Sequence, residues 1–440
     1  MTYGSGPFQE RIALTVLICS HIVICCVSLF FIAHFKYQGS VNSELFHILY
    51  FPDRMYCAAI VVCSFALVAT PFVFARFSFG YFSGFYLYTM VLGYLWLNCF
   101  SDLGYDHQLA GFSAAASAVA FLIPALFISS PITRIYTLSE RALNNVLRFI
   151  LLLSIVTILI GASYDFRLVM LSHIYEFRDT LQSPALVRYL VGITSSALLP
   201  FAFACFLTRR SYWQCAAVLL LLLLFYPITL SKLAFFTPAW LLFFALLSKI
   251  ARPRTAVVVS LLGPILAGVV LNLLSKEQAI AYFSTINFRM IAIPSNALDV
   301  YSDYFSKHDL THFCQISILK PIMSCPYQEP LSVVMEKAYG LGYFNASLFA
   351  TEGVASVGLL LAPISAFVCG LVIALANRLS AGLPAGFILV SGAILPQILL
   401  NVPLSTVLLT HGAGILFVLW YIMPRSMFEQ RTMAPTMVTN

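Results

Sequence analysis

The sequence predicts an all-α, polytopic integral membrane protein with about twelve transmembrane helices and one large loop on the outer face. Three observations lead there. Of its 440 residues, 61% are hydrophobic and only 9% are charged, whereas a soluble domain carries about 25% charged residues. Apolar stretches such as 216–226 and 256–274 run almost uninterrupted, while strands of a membrane barrel alternate apolar and polar over roughly ten residues. Basic residues gather on alternate connections between these stretches, as the positive-inside rule requires. A water-soluble fold is excluded, and the formal charge of +7 does not imply a nucleic-acid partner here, because its meaning lies in where the charges sit.

The spans follow in order. Windows near the ~20 residues that cross a ~30 Å hydrocarbon core fall at 12–35, 56–75, 80–99, 108–129, 146–163, 187–207, 213–230, 233–249, 256–274, 353–376, 385–401 and 404–423. The first is too long for the apolar core of a cleavable signal and no A-x-A site follows it, so it reads as a permanent span. The pair flanking Lys232 is short, and Pro227 and Pro238 leave a broken or re-entrant element open as an alternative. With the N-terminus inside, the inner segments hold thirteen basic and three acidic residues, a net +10, and the remainder of the chain nets −3. Arg209, Arg210, Lys249, Arg252 and Arg254 sit beside span ends, where orientation is decided. Both termini are therefore expected in the cytoplasm.

The resulting organisation is nine helices over 1–274, a large periplasmic loop over 275–352, three more helices over 353–424 and a short cytoplasmic tail, 425–440. Most of the eleven cysteines lie in apolar runs, where they behave as small hydrophobes. Cys314 and Cys325 differ, because both lie in the long loop, eleven residues apart. An oxidising compartment permits a disulfide between them, although spacing alone does not establish its geometry. The eight histidines form no metal-binding pattern; His308 and His312 are four apart but lack a clearly spaced acidic or cysteine partner.

Ionisable residues in or beside spans are costly to keep and tend to mark function. Four places qualify: Glu176, Arg178 and Asp179 with Arg188 following; Lys232; Arg289; and Glu352 at the mouth of a very apolar helix. Each has a plainer alternative. Glu176 and Arg178 can solvate a surface helix, Lys232 can snorkel to the headgroups, Arg289 can meet lipid phosphate, and Glu352 can cap its own helix. Taken together they put several cations and one carboxylate on one face of the membrane. That set suits an anionic lipid head such as a diphosphate, whose oxygens match arginine's planar fork.

These stretches resemble the oligosaccharide repeat-unit polymerases, or O-antigen polymerases, of bacterial envelopes. Ile174-Tyr175-Glu176-Phe177-Arg178 looks like the family's I-Y-E-x-R segment, with Leu199-Pro200 in the span after it. Ser231-Lys232 is similar to a G/S-K-S turn, with Leu233 replacing the second small residue. Arg289 through Pro294, followed by Tyr301-Ser302-Asp303-Tyr304-Phe305, resembles R-x-x-x-x-P…Y-x-D-F-F. Glu352-Gly353-Val354-Ala355-Ser356-Val357-Gly358 parallels E-G-Y-A-N-F-G and departs from it at Val354, Ser356 and Val357. The likeness covers roughly 165–380 and is diffuse.

The resemblance implies a membrane glycosyltransferase of the C-type fold, shared with O-antigen ligases, acting at the periplasmic face of the inner membrane. Its donor and acceptor would be undecaprenyl-diphosphate-linked oligosaccharides, and a chain-length regulator protein is an implied partner. The lipid diphosphate is already an activated leaving group, so no metal, nucleotide sugar or other cofactor is expected. Cationic stabilisation of the leaving group then matters more than a general acid. Arg289 and Arg178, with Arg188 and Lys232, are the expected diphosphate ligands. Glu352 is the first candidate base for the attacking hydroxyl and His312 the second. Tyr301, Tyr304 and Tyr343 are expected to stack on sugars, or else to pack the loop. The rival expectations are a ligase transferring glycan to a lipid A core, which would favour an essential histidine in the long loop, and a transporter of lipid-linked oligosaccharide.

Overall fold

The computed structural model describes residues 7–35, 43–170, 174, 177, 183–316 and 318–429. Every regular element among the described residues is helical. Nine of these helices are long and apolar enough to cross a membrane: Phe8–Ala33, Pro52–Phe74, His107–Phe127, Glu140–Tyr164, Ala185–Thr208, Tyr212–Thr229, Lys232–Ile250, Pro253–Leu274 and Phe349–Ser380. The chain is a polytopic helical membrane protein. Arg178 and the acidic residues beside it lie outside the described residues.

Three of the twelve windows take a different form. Window 80–99 is the helix Phe79–Asn98, whose glycines, tyrosines, serine and threonine dilute its apolar character, and all of it but Asn98 is buried. Window 385–401 breaks into Ala385–Ser391 and Leu395–Leu399 around Gly392, and Pro396 cannot continue a helix already running through it. Window 404–423 breaks into Leu404–Leu409 and Ala413–Ile422, with Gly412 between them at φ 76°. The helices flanking Lys232 are separate, of 18 and 19 residues. Leu230, at φ 44°, makes the sharp turn between them.

The chain divides into two compact units. The first comprises Met1–Ile128, Arg254–Ala374 and Pro396–Ser405. Its centre is Phe79–Asn98, started by the Ser78 hydroxyl, which accepts from the Tyr81 amide at 3.1 Å. Around it pack Phe8–Ala33, Met55–Ala66, His107–Phe127 and Ile293–Phe305. A Cβ at Gly93 would stand 2.3 Å from Ser295 Oγ, so only glycine lets Ile293–Phe305 come this close. The Ser295 hydroxyl uses that approach to donate to the Met90 carbonyl at 2.9 Å. At one end of the unit Arg254 pairs with Glu10 and donates to the Val73 carbonyl at 3.1 Å, gathering charges expected on one side of the membrane.

Segment 275–352, expected as one large loop, is largely built. It contains the helices Lys276–Thr285, Ile293–Phe305 and Leu331–Tyr339. All 13 residues of Ile293–Phe305 are buried. Its polar residues conceal a core element, because Asp299, Ser302 and Asp303 find partners inside the unit instead of water. Cys314 and Cys325 are joined by a disulfide, with Cα atoms 5.4 Å apart.

The second unit comprises Ser129–Pro253, Leu375–Leu395 and Thr406–Asn440. Leu199–Thr208 packs against Ala385–Ser391 and Tyr212–Leu224, and Lys232–Ile250 also packs on Ala385–Ser391. The broken helices are held by side-chain hydrogen bonds: Trp240 Nε1 donates to the Ala393 carbonyl at 3.2 Å, and Trp420 Nε1 to Ser391 Oγ at 3.0 Å. The Ala393 carbonyl, in the break between the two short helices, is thereby satisfied inside protein, as lipid surroundings require.

Candidate active site

The first unit carries Arg289, His312, Glu352 and the three tyrosines; Arg188 and Lys232 belong to the second. Arg289 lies in a π-helical turn, Phe288–Ala292, and Glu352 in another, Phe349–Ala355. Such turns are rare and frequently stand at functional sites. The first has a local cause. Pro294 has no N–H to give to the carbonyl four residues back, and the turn before it opens so that the Ile293 amide reaches the Phe288 carbonyl. Leu199-Pro200 ends a third π turn, Thr194–Leu198, in the same way, on the helix that carries Arg188. Arg289 is exposed, while Phe288, Met290, Ile291 and Ala292 around it are buried.

Glu352 is buried. Its Oε1 accepts from both the amide and the hydroxyl of Ser405, each at 2.8 Å. Oε2 has the Thr351 hydroxyl at 3.4 Å. The Glu352 carbonyl is held from the other side by Ser365 Oγ at 2.6 Å. Gly358 breaks the helix beyond it at φ 75° and ψ 170°, a conformation open in practice to glycine alone. The last glycine of the E-G-x-A-x-x-G stretch thus has a backbone reason.

Two contacts join other parts of the unit to this turn. Ile293–Phe305, the helix that Arg289 leads into, packs against Phe349–Ala355. The Thr311 amide donates to the Ala355 carbonyl at 2.8 Å and the His312 amide to the Ser356 carbonyl at 3.1 Å. His312, at φ 45°, is exposed. The two candidate bases therefore sit on backbone segments tied to each other, one side chain buried and one open.

The tyrosines divide. Tyr301 is wholly buried, with its hydroxyl donating to the Phe344 carbonyl at 3.2 Å. Its ring is part of the packing and not a sugar platform in this state. Tyr304 stacks on His308 with centroids 3.9 Å apart and Tyr327 and Tyr339 around it. Tyr343 is exposed. In the second unit Arg188 is exposed and donates to the Ser183 carbonyl at 3.2 Å, and Lys232 opens its helix after the Leu230 turn.

Two carboxylates stand one turn apart on Ile293–Phe305; Asp303 belongs to the quoted motif without an assigned role, and Asp299 was not singled out from the sequence. Asp299 accepts from Ser101 Oγ at 2.8 Å and from the Tyr105 hydroxyl. The Tyr105 hydroxyl also lies 2.9 Å from Asn98 Oδ1, which meets His107 Nδ1 at 2.9 Å. Burial pushes the Asp299 carboxyl up to about 6, against the opposing pull of Tyr105 and Ser101. Asp303 also loses water, but Lys307, Tyr339 and the Gly104 amide outweigh that and hold it below the usual carboxylate range. The available signal was the i, i+4 pair of aspartates in a stretch whose other face is apolar. Among the described residues no three His, Cys, Asp or Glu side chains gather as a metal site would need.

Comparison with protein-family models, characterised proteins and solved structures finds no match to this chain. The functional reading therefore stands on the residues and their arrangement.

Proposed function

We propose that this protein polymerises undecaprenyl-diphosphate-linked oligosaccharide repeat units into a bacterial surface polysaccharide of O-antigen or capsule type. The reading places about twelve spans in the bacterial inner membrane, with both termini cytoplasmic and the 275–352 region on the periplasmic side. One observation carries it. Arg289 and Glu352, the two residues on which the motif resemblance rests most, occupy π turns in one unit, the helix that Arg289 leads into packs on the Glu352 turn, and His312 is tied to the segment just after Glu352.

The chemistry is a glycosyl transfer without a metal or other cofactor. The acceptor hydroxyl attacks the anomeric carbon of the donor, the bond to the diphosphate breaks, and the undecaprenyl diphosphate departs with its electron pair. Arg289 holds the diphosphate oxygens, with Arg178, Arg188 and Lys232 as the further cations, and charge-assisted bonds stabilise the charge that develops there. Glu352 takes the hydroxyl proton. Because Ser405 occupies Oε1, Oε2 is the oxygen through which it acts. Tyr343, which is exposed, borders the sugar path, and Tyr304 packs behind it in this state. The partners are the two lipid-linked oligosaccharides, the bilayer and a chain-length regulator protein.

The exposure of His312 favours a second reading, an O-antigen ligase with His312 as base and a lipid A core as acceptor. A glycan ladder separates the two. Cells lacking the protein are rescued with wild type, Arg289→Ala, Glu352→Gln or His312→Ala. A polymerase leaves envelope lipid bearing single repeat units in the deletion strain, and the Arg289 and Glu352 variants fail to restore long chains. A ligase leaves long polymer on the carrier lipid and none on the acceptor. An unchanged ladder refutes both and puts transport of lipid-linked oligosaccharide first.

A further inference from the structure

The second unit holds a cavity of about 360 Å³, within the size range of small-molecule sites. It lies where helices end: the last turn of Ala185–Thr208, the first of Tyr212–Thr229, the last of Lys232–Ile250 and the first of Ala385–Ser391. Thr208, Arg210, Tyr212 and Lys249 supply polar wall, and Phe387 and Val390 apolar wall. Lys249 stands 17 residues along its helix from Lys232, so the two cations are about 25 Å apart along the axis. This cavity thus stands at the opposite end of that helix from Lys232.

Four features describe its occupant. First, Arg210 and Lys249 both line the cavity, and no carboxylate pairs with either among the described residues. Both are exposed, so an anion can reach them without displacing a protein carboxylate. Second, Arg210 is held at φ 58°, a left-handed conformation unfavourable for a side-chain-bearing residue, in a turn closed by the Ser211 amide on the Phe206 carbonyl at 2.9 Å. This is the left-handed end of the helix, and it fixes the Arg210 backbone at the rim of the cavity. Third, Tyr212 and Trp213 are 62% and 89% exposed. Paired aromatics this open at the start of an apolar helix mark the membrane–water interface. Fourth, Leu246 and Leu242 lie three and seven residues before Lys249, on its own helix face, and are 56% and 52% exposed. An exposed apolar track therefore leads from the cation towards the span centre.

We propose that this cavity binds the phosphate of an anionic phospholipid, with Arg210 and Lys249 on the phosphate oxygens, Tyr212 at the headgroup and an acyl chain along Leu246 and Leu242. Free phosphate shares the cation chemistry but has no use for the apolar wall or the leucine track. The positive-inside rule assigns this end of the unit to the cytoplasm, whose leaflet carries the anionic lipid that juxtamembrane cations attract. The site is a lipid clamp and not part of the glycosyl-transfer machinery.

Native mass spectrometry of the full chain in neutral detergent tests it, by titration with dioctanoyl phosphatidylglycerol, dioctanoyl phosphatidylcholine or inorganic phosphate. One phosphatidylglycerol binds saturably, and neither of the other two competes at equal concentration. The pair Arg210→Asn and Lys249→Gln weakens binding by about tenfold or more, the loss of at least one charge-assisted contact. Asparagine keeps the left-handed conformation accessible at 210. Gly386→Leu is the second variant, since a Cβ there meets only Ser248 Cβ at 3.9 Å and a larger side chain occupies the cavity without altering its charge. It displaces the lipid equally. Binding unchanged in both variants, no saturable site, or equal competition by inorganic phosphate overturns the proposal.

Discussion

Replacing Glu352 separates its structural role from its chemical one. In the native state a buried carboxylate oxygen accepts two hydrogen bonds from Ser405, both 2.8 Å long. Hydrogen bonds to charged groups contribute about 1.5–3 kcal/mol each, and a buried donor left without an acceptor carries its own desolvation cost. Glu352→Ala removes the acceptor and strands both the amide and the hydroxyl. The expected loss is about 3–5 kcal/mol of stability. Glu352→Gln keeps an acceptor oxygen in place and turns both bonds into neutral ones, so its expected loss is about 1–2 kcal/mol. Ser405→Ala removes one of the two bonds, and a double-mutant cycle of Glu352→Gln with Ser405→Ala should return a coupling of about 0.5–3 kcal/mol. The assay is unfolding of the purified chain in mild detergent, followed by helical circular dichroism as a denaturing detergent is titrated in. If Glu352→Ala is as stable as wild type, or the coupling is nil, the Glu352–Ser405 contact does not exist and the geometry of the site falls with it. The same variants carry the functional question. Glu352→Gln combining near-native stability with lost polymerisation marks a proton acceptor, whereas retained polymerisation marks a carboxylate that only holds the turn.

Two further consequences concern the helices around it. Asp299 has its carboxyl raised to about 6 when folded and about 3.9 when unfolded. Its contribution is fully present below pH ~4 and lost as pH rises through 6, worth about 3 kcal/mol at most. Asp303 is shifted the other way, so its contribution is lost as pH falls below the usual carboxylate range. Thermal unfolding between pH 4 and 7 should show the stability difference between wild type and Asp299→Asn shrinking as pH rises; an identical slope in both refutes the assignment. Gly358→Ala meets Leu310 Cδ1 at an ordinary 3.5 Å, so its cost is conformational, from φ 75°, and amounts to about 1–3 kcal/mol. A variant as stable as wild type in the same unfolding assay would show that the kink tolerates an L side chain.

The membrane-spanning helical character was legible from the sequence alone, because a span is a local property. Some twenty apolar residues must satisfy their own backbone in lipid, and helix is the form that does so within one segment. Nine of the windows accordingly reappear as long apolar helices. Arg289 and Glu352 were visible for a similar reason: an ionisable side chain beside an apolar span stands out in the sequence itself. Tertiary structure alone decided what depends on neighbours distant in sequence. A hydropathy window cannot tell a helix that meets lipid from one, such as Phe79–Asn98, that meets only other helices. Nor can it tell a polar loop from Ile293–Phe305, whose aspartates are satisfied by Ser101, Tyr105 and Gly104. The acceptor role of Glu352 is set by Ser405, 53 residues away. The cation pair Arg210 and Lys249 became a cavity only because separate helices end at one place. Composition along the chain governs partition into the membrane, whereas the pairing of buried polar groups is a through-space matter that packing alone resolves.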